Sequence, residues 1–209
     1  MHRLIPLDST DILEQANTLL NDLAVSVIKI GLTGSVECVE AIASLLRKHP
    51  SIPVIFDPVL ACGDGTPLAD TSLINTIRKK LLPLTTVLTP NTLEAVKLTG
   101  LSNSTGIKAL GAQLLEQGVT SVLITGGHMP GPSISNHFFQ AHEATRVSKW
   151  PRQAGEFHGT GCTLAASIAA LIAQGNSLAN AIEQAQDYTN TCIARAQQIG
   201  HGQAFPVRL

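Results

Sequence analysis

The hexapeptide His158-Gly159-Thr160-Gly161-Cys162-Thr163 runs straight into the apolar stretch 164–173. Two glycines around a threonine at the mouth of a long helix leave backbone N–H groups unpaired and pointing outward, at the positive end of the helix dipole. Glycine lets that backbone approach a phosphate closely, and the Thr160 hydroxyl adds a donor. Cys162 falls in the first helical turn, where the dipole lowers a thiol pKa and favours the thiolate. An anion pocket with a candidate base beside it is the equipment of phosphoryl transfer. The plainer reading is a glycine-rich cap followed by a small buried cysteine, and helix starts of that kind are common.

Four further stretches stand where strands are expected to end, the place where open α/β sheets bind ligands. Lys29-Ile30-Gly31-Leu32 offers a glycine that lets backbone come near a substrate, or else makes a plain strand-to-helix turn. Asp57-Pro58-Val59 offers a carboxylate that could hold Mg²⁺, an ion content with few protein oxygens when phosphates complete its shell. It is equally an Asp-Pro turn. In Thr89-Pro90-Asn91-Thr92-Leu93-Glu94, Asn91 and Glu94 are three apart at a helix start and can face one metal–phosphate cluster. The same pair makes a capping box, and both accounts can hold together. Thr125-Gly126-Gly127-His128 could border a nucleotide, although a glycine pair is also an ordinary turn. His128 and His158 are more often surface residues than catalysts.

Helical spacing predicts helices over 8–23, 35–49, 71–82, 92–99, 105–117, 160–174 and 177–198. In the first, Ile12, Leu13, Ala16, Leu19, Leu20 and Leu23 form one stripe. Short apolar runs at 25–30, 54–56, 86–88 and 122–124 read as strands, the continuously apolar ones buried on both faces of a parallel sheet. Residues 133–150 alternate instead and predict two or three antiparallel strands at a sheet edge. Strands alternating with helices imply right-handed βαβ units and a three-layer α/β domain. Such a sheet usually begins with a strand, whereas this chain begins with a helix. Either the sheet is small or a first segment is missing.

A chain of 209 residues is most simply one domain, and 44% hydrophobic content with a net charge of −1 describes a soluble globular protein. Without a basic surplus, and with aromatics at 3%, nothing suits nucleic acid. The longest apolar run is too short to cross a bilayer, and Met1-His2-Arg3 leads into no secretory signal. The four cysteines have no CxxC spacing, which fits free thiols in a reducing cytoplasm.

Taken in order, Lys29-Ile30-Gly31 with Gly34-Ser35, Asp57-Pro58-Val59, Leu81-Leu82-Pro83, Thr89-Pro90-Asn91 with Glu94, Gly126-Gly127-His128 and the hexapeptide at 158–163 resemble the hydroxymethylpyrimidine/phosphomethylpyrimidine kinases of thiamin biosynthesis, within the ribokinase-like superfamily. The likeness spans roughly residues 10 to 200 and implies a ribokinase-like αβα fold with a mostly parallel sheet. It implies ATP- and Mg²⁺-dependent transfer of the γ-phosphoryl group to 4-amino-5-hydroxymethyl-2-methylpyrimidine and then to its monophosphate. By that resemblance Gly159, Thr160 and Gly161 form the anion hole and Cys162 is the base. Asp57, Asn91 and Glu94 organise Mg²⁺ and phosphates, with Asp57 and Glu94 as metal ligands. Thr125, Gly126 and Gly127 border the nucleotide, and Gly31, Leu32 and Cys162 meet the substrate. Superfamily relatives that act on sugars often have aspartate at the Cys162 position, so cysteine points to the pyrimidine branch. A pyridoxal kinase, or a nucleotide-binding remnant without catalysis, is the alternative.

Two departures accompany the resemblance. Family members commonly have lysine where Thr125 stands, a cation that can reach the phosphates. They also have an N-terminal strand, a Gly-Gly-Ala-Gly segment and lid strands ahead of the region matching Asp8. The expectation is therefore a single domain over 1–209 that is N-terminally incomplete, its first strand and lid missing. Its phosphate half is complete and its substrate half is not. A bared strand edge invites pairing with a partner, and a homodimer is the simplest such partner.

Overall fold

A computed structural model describes residues 4–63 and 65–208. The chain runs α1 (Ser9–Asp22), β1 (Ile28–Ile30), α2 (Val36–Lys48), β2 (Val54–Phe56), α3 (Thr71–Thr76), β3 (Val87–Leu88), α4 (Thr92–Thr99), α5 (Ile107–Glu116), β4 (Ser121–Ile124), β5 (Ser133–Gln140), β6 (Arg146–Pro151), α6 (Thr160–Ala173) and α7 (Leu178–Ala194). The six strands lie in sequence order, with β1 to β4 parallel and β5 and β6 joined antiparallel. Among the described residues β1 and β6 are the two edges.

Alternate residues of the buried strands face opposite layers, as the period of two requires. Ile30, Phe56, Leu88 and Val122 pack under α2 to α5, while Ile55, Val87, Leu123 and Phe138 pack under α6 and α7. The helices that connect the parallel strands thus share one face, and the last two helices cover the other. This is the three-layer ribokinase-like α/β architecture the sequence implied.

Four elements differ from their sequence reading, one of them α7, which stops at Ala194 rather than running to 198 because Gln197 pairs with Phe205 instead. The strand expected from 25 is confined to Ile28–Ile30, because its neighbour β2 is only three residues long, bounded by Pro53 and by Asp57-Pro58. The helix expected over 71–82 stops at Thr76, widens to a π turn over Ile77–Leu81 and tightens to a 3₁₀ turn over Leu82–Leu84. Pro83 has no N–H to continue the α-helical ladder, so the backbone leaves it by these two turns. α1 is capped by Asp8, whose side chain accepts from the Thr10 amide, but its apolar stripe is not covered. The helix packs chiefly on α2, has no buried residue, and leaves Leu19 and Leu23 more than half exposed.

Candidate active site

The parallel strands end together, so Gly31, Asp57, Thr89 and Thr125 share one edge of the sheet, and α6 begins above it. The turn into α6 is made at Gly159, whose φ of +80° is open to glycine and strained for other residues. No side chain caps the helix. The first N–H groups of an α-helix have no partner within it, so those of Thr160, Gly161 and Cys162 are left to meet a ligand. Directly beneath, a Cβ placed on Gly161 would stand 3.6 and 3.7 Å from the two carboxylate oxygens of Asp57. The anion hole and the Asp57 carboxylate, 104 residues apart in the sequence, are therefore neighbours.

Cys162 is exposed at this mouth, unlike Cys38 and Cys192, which are buried. The sequence reading of a dipole-lowered thiolate is corrected here. Partial burial pushes the thiol above its ordinary value, the charge of Asp57 and a hydrogen bond to it add to the rise, and Lys29 and Arg208 oppose it. Asp57 itself is 5% exposed and held above the usual carboxylate range by burial, against the pull of Lys29 and of the Cys162 thiol. Its Oδ2 is buried without a hydrogen-bond partner. Such an atom costs free energy unless a proton or a cation joins it.

Glu94 and Asn91 form the capping box at the start of α4. The Glu94 amide donates to Asn91 Oδ1 at 2.9 Å, and the Asn91 amide donates to Glu94 Oε2 at 2.9 Å. Glu94 Oε1 also accepts from the Leu60 amide at 3.4 Å, tying α4 to the loop after Asp57. Burial nonetheless outweighs these donors and pushes the Glu94 pKa up to about 7, with the charge of Asp57 contributing. A capping residue satisfied by backbone alone has no need of a charged neighbour in a dry site. Asp57 and Glu94 make a pair of under-compensated carboxylates, a donor set suited to Mg²⁺ completed by phosphates and water. No group of three or more His, Cys, Asp or Glu side chains able to hold a metal occurs among the described residues.

The glycine pair lies at the end of β4, two strands from Asp57. The Thr125 amide donates to Pro90 O at 2.9 Å, and Gly126 N–H donates to Asn136 Oδ1 at 3.1 Å. A Cβ on Gly126 would collide with the Ser135 carbonyl oxygen, whereas Gly127 faces open space. Arg152 binds the carbonyls of Gly127, Met129 and Gly131, clamping this loop from β6. Gly31 lies under the Lys29 ammonium, 2.8 Å from where its Cβ would be, and Leu32 is 41% exposed. The hexapeptide and the two carboxylates thus form one cluster, and the glycine loop and Leu32 stand around it. Sequence reasoning missed Arg152, Asn136 and Arg208. None carries a motif, and each reaches the site only through tertiary contacts.

A family model described as phosphomethylpyrimidine kinase matches residues 1–208. The hydroxymethylpyrimidine/phosphomethylpyrimidine kinase of Haemophilus influenzae is 32% identical over 203 residues, covering 94% of this chain and 76% of that protein. The thiamine biosynthesis bifunctional protein ThiED of Geobacter sulfurreducens is 35% identical over 193 residues, and this chain spans only 39% of its length. Among solved structures, the pyridoxal kinase of Staphylococcus aureus in complex with pyridoxal superposes with a TM-score of 0.89 over all of this chain and 76% of that one, at 24% identity, a likeness of fold. The phosphomethylpyrimidine kinase (thiD) of Clostridium difficile 630 superposes with a TM-score of 0.76 at 25% identity, covering 90% of this chain and 77% of that one. With a match across nearly its whole length and an exposed cysteine set in an uncapped glycine turn over two buried carboxylates, the chain belongs to the phosphomethylpyrimidine kinase family.

Proposed function

We propose that this protein transfers the γ-phosphoryl group of ATP to 4-amino-5-hydroxymethyl-2-methylpyrimidine and to its monophosphate, as a cytoplasmic step of thiamin biosynthesis. The observation that carries the reading is the placement of the Gly161 backbone and of Cys162, within the turn that bears the free amides of residues 160–162, directly over Asp57. Phosphoryl transfer asks a protein chiefly for positioning and charge neutralisation, and a hole of aimed amides supplies both.

In this reading the hydroxymethyl oxygen bonds to the γ-phosphorus as the bond to the β-phosphate oxygen breaks, and ADP leaves. Cys162 takes the hydroxyl proton as general base. Because its thiol is held high, the thiolate is scarce at neutral pH but strongly basic when formed. The amides of residues 160–162 face the transferring group. Mg²⁺, when bound, neutralises phosphate charge. Asp57 and Glu94 are the residues that would hold it, and Asn91 keeps Glu94 in place. Gly126 and Gly127, with Thr125, border the nucleotide, and Gly31 and Leu32 border the pyrimidine. The exposed leucines of α1 favour a homodimer. No helix among the described residues is long and apolar enough to cross a membrane.

The test is ADP release by the purified chain with ATP and Mg²⁺, in the presence of the hydroxymethyl pyrimidine, its monophosphate or pyridoxal. Pyrimidine-dependent release that Cys162→Ala abolishes, with ATP binding retained, is the expected result. ADP release only with pyridoxal would move the chain to the vitamin B6 branch. Nucleotide binding without release under any condition would make it a binding remnant.

A further inference from the structure

Neither the anion hole nor the glycine loop brings a positively charged side chain of its own, since residues 159–162 and 125–127 contain no lysine or arginine. Besides Lys29, which acts on Asp57 and Cys162 from the end of β1, a second positive charge arrives from the far end of the sequence. Residues 204–207 fold back as a strap beside the start of α6. Ala204 bridges Phe157, Phe205 bridges Gln197, and the Phe205 ring packs edge-on to His158 with centroids 5.6 Å apart. Pro206 is buried, and the Val207 amide donates to Cys192 O at 3.1 Å. The strap delivers Arg208 to the first turn of α6.

There Arg208 Nε donates to Thr163 Oγ1 at 3.0 Å, and Nη2 stands 3.0 Å from where a Gly159 Cβ would be. The Thr163 hydroxyl in turn donates to Gly159 O at 2.8 Å, so guanidinium, threonine and glycine turn are one unit. Among the described residues Arg208 has no carboxylate within ion-pair distance, and the Thr163 bond is the one hydrogen bond its side chain makes. Its remaining N–H donors have no partner among the described residues. An arginine whose fork is anchored at one nitrogen and open at the others is suited to phosphate oxygens. A second, independent sign that the mouth is built for a ligand is the orphaned Oδ2 of the nearly fully buried Asp57, across Gly161 from the same amides.

We propose that Arg208 is a further phosphate-binding residue of this site, its guanidinium reaching past Gly159 to the anion held by the α6 amides and neutralising the transferring phosphoryl group. The identity of that anion rests on the kinase reading above, whereas the cationic lining does not.

Two measurements test it separately. In the first, alkylation of Cys162 by iodoacetamide at fixed pH is followed by peptide mass spectrometry against rising inorganic pyrophosphate. Pyrophosphate protects Cys162 in the unaltered chain, and Arg208→Gln raises the protecting concentration about tenfold or more, with Arg208→Lys between the two. Absence of protection, or equal midpoints in the unaltered chain and Arg208→Gln, overturns the proposal. In the second, Arg208→Gln lowers kcat about a hundredfold, in the range of removing one transition-state donor, at an unchanged melting temperature. A loss of kcat that merely tracks melting temperature, with protection unchanged, makes Arg208 a strap anchor and overturns the proposal. A chain that pyrophosphate protects through Arg208 but that releases no ADP supports the anion-site role and fails the kinase reading alone.

Discussion

At the residue scale the site is defined by groups held away from their ordinary protonation. Glu94 has a folded-state pKa of about 7, above the 4.5 expected of an unperturbed glutamate. The folded state therefore prefers the protonated form. Below about pH 4.5 the preference has no cost. As pH rises toward 7 an ionisation penalty of roughly 3 kcal/mol builds up, and it persists above. Denaturant titrations should show the unaltered protein losing stability over this window relative to Glu94→Gln; parallel curves for the two would refute the burial account of Glu94. In the proposed mechanism activity should move the opposite way, rising with pH as Glu94 and then Cys162 ionise, since the metal ligand and general base proposed there both work deprotonated. Cys162→Ser should leave the melting temperature nearly unchanged, because the residue is exposed, while lowering kcat by at least a hundredfold in the ADP-release assay. Retained turnover in the serine variant would take the thiol out of the chemistry.

At the scale of elements, each functional side chain stands at the end of something whose local rules are satisfied. α4 has a reciprocal capping box at its start and Gly100 in the left-handed conformation at its end. Asn91→Ala should cost about 1 kcal/mol of stability. The loss of Mg²⁺-dependent activity should exceed what that destabilisation explains, since Glu94 then loses its fixed position. Activity that simply follows the unfolded fraction would leave Asn91 a cap and no more. The loop after β4 is different, for it is clamped from outside by Arg152 on three carbonyls. Arg152→Ala should raise the KM for ATP about tenfold with little change in kcat, because the nucleotide border proposed for this loop is loosened and the reacting atoms are untouched.

At the scale of the whole molecule, the layer formed by α6 and α7 both closes the core and presents the reactive turn. Leu123 is fully buried between β4 and that layer. Leu123→Ala should cost about 2–5 kcal/mol and should reduce kcat in the fraction that stays folded, as α6 settles toward the cavity. Thermal melts paired with single-turnover rates separate the two effects. An intact rate per folded molecule would mean that the turn is positioned independently of the core.

Much of this was legible in the chain itself. Ser35, Asn91 and Ser177 announce helix starts, Gly100 announces a helix end, and the apolar triplets at 54–56 and 122–124 announce buried strands, because caps and periodicity are local properties. The glycine turn and its cysteine were likewise visible, since an uncapped, glycine-flanked helix start is written in consecutive residues. What lies across the sequence was not. That Asp57 sits under Gly161, that burial and the Asp57 charge raise the Cys162 thiol, that burial outweighs the backbone donors at Glu94, and that Arg208 returns to Thr163, 45 residues before it, are results of packing. Desolvation and charge proximity depend on which surfaces meet, and a one-dimensional order of residues does not contain that.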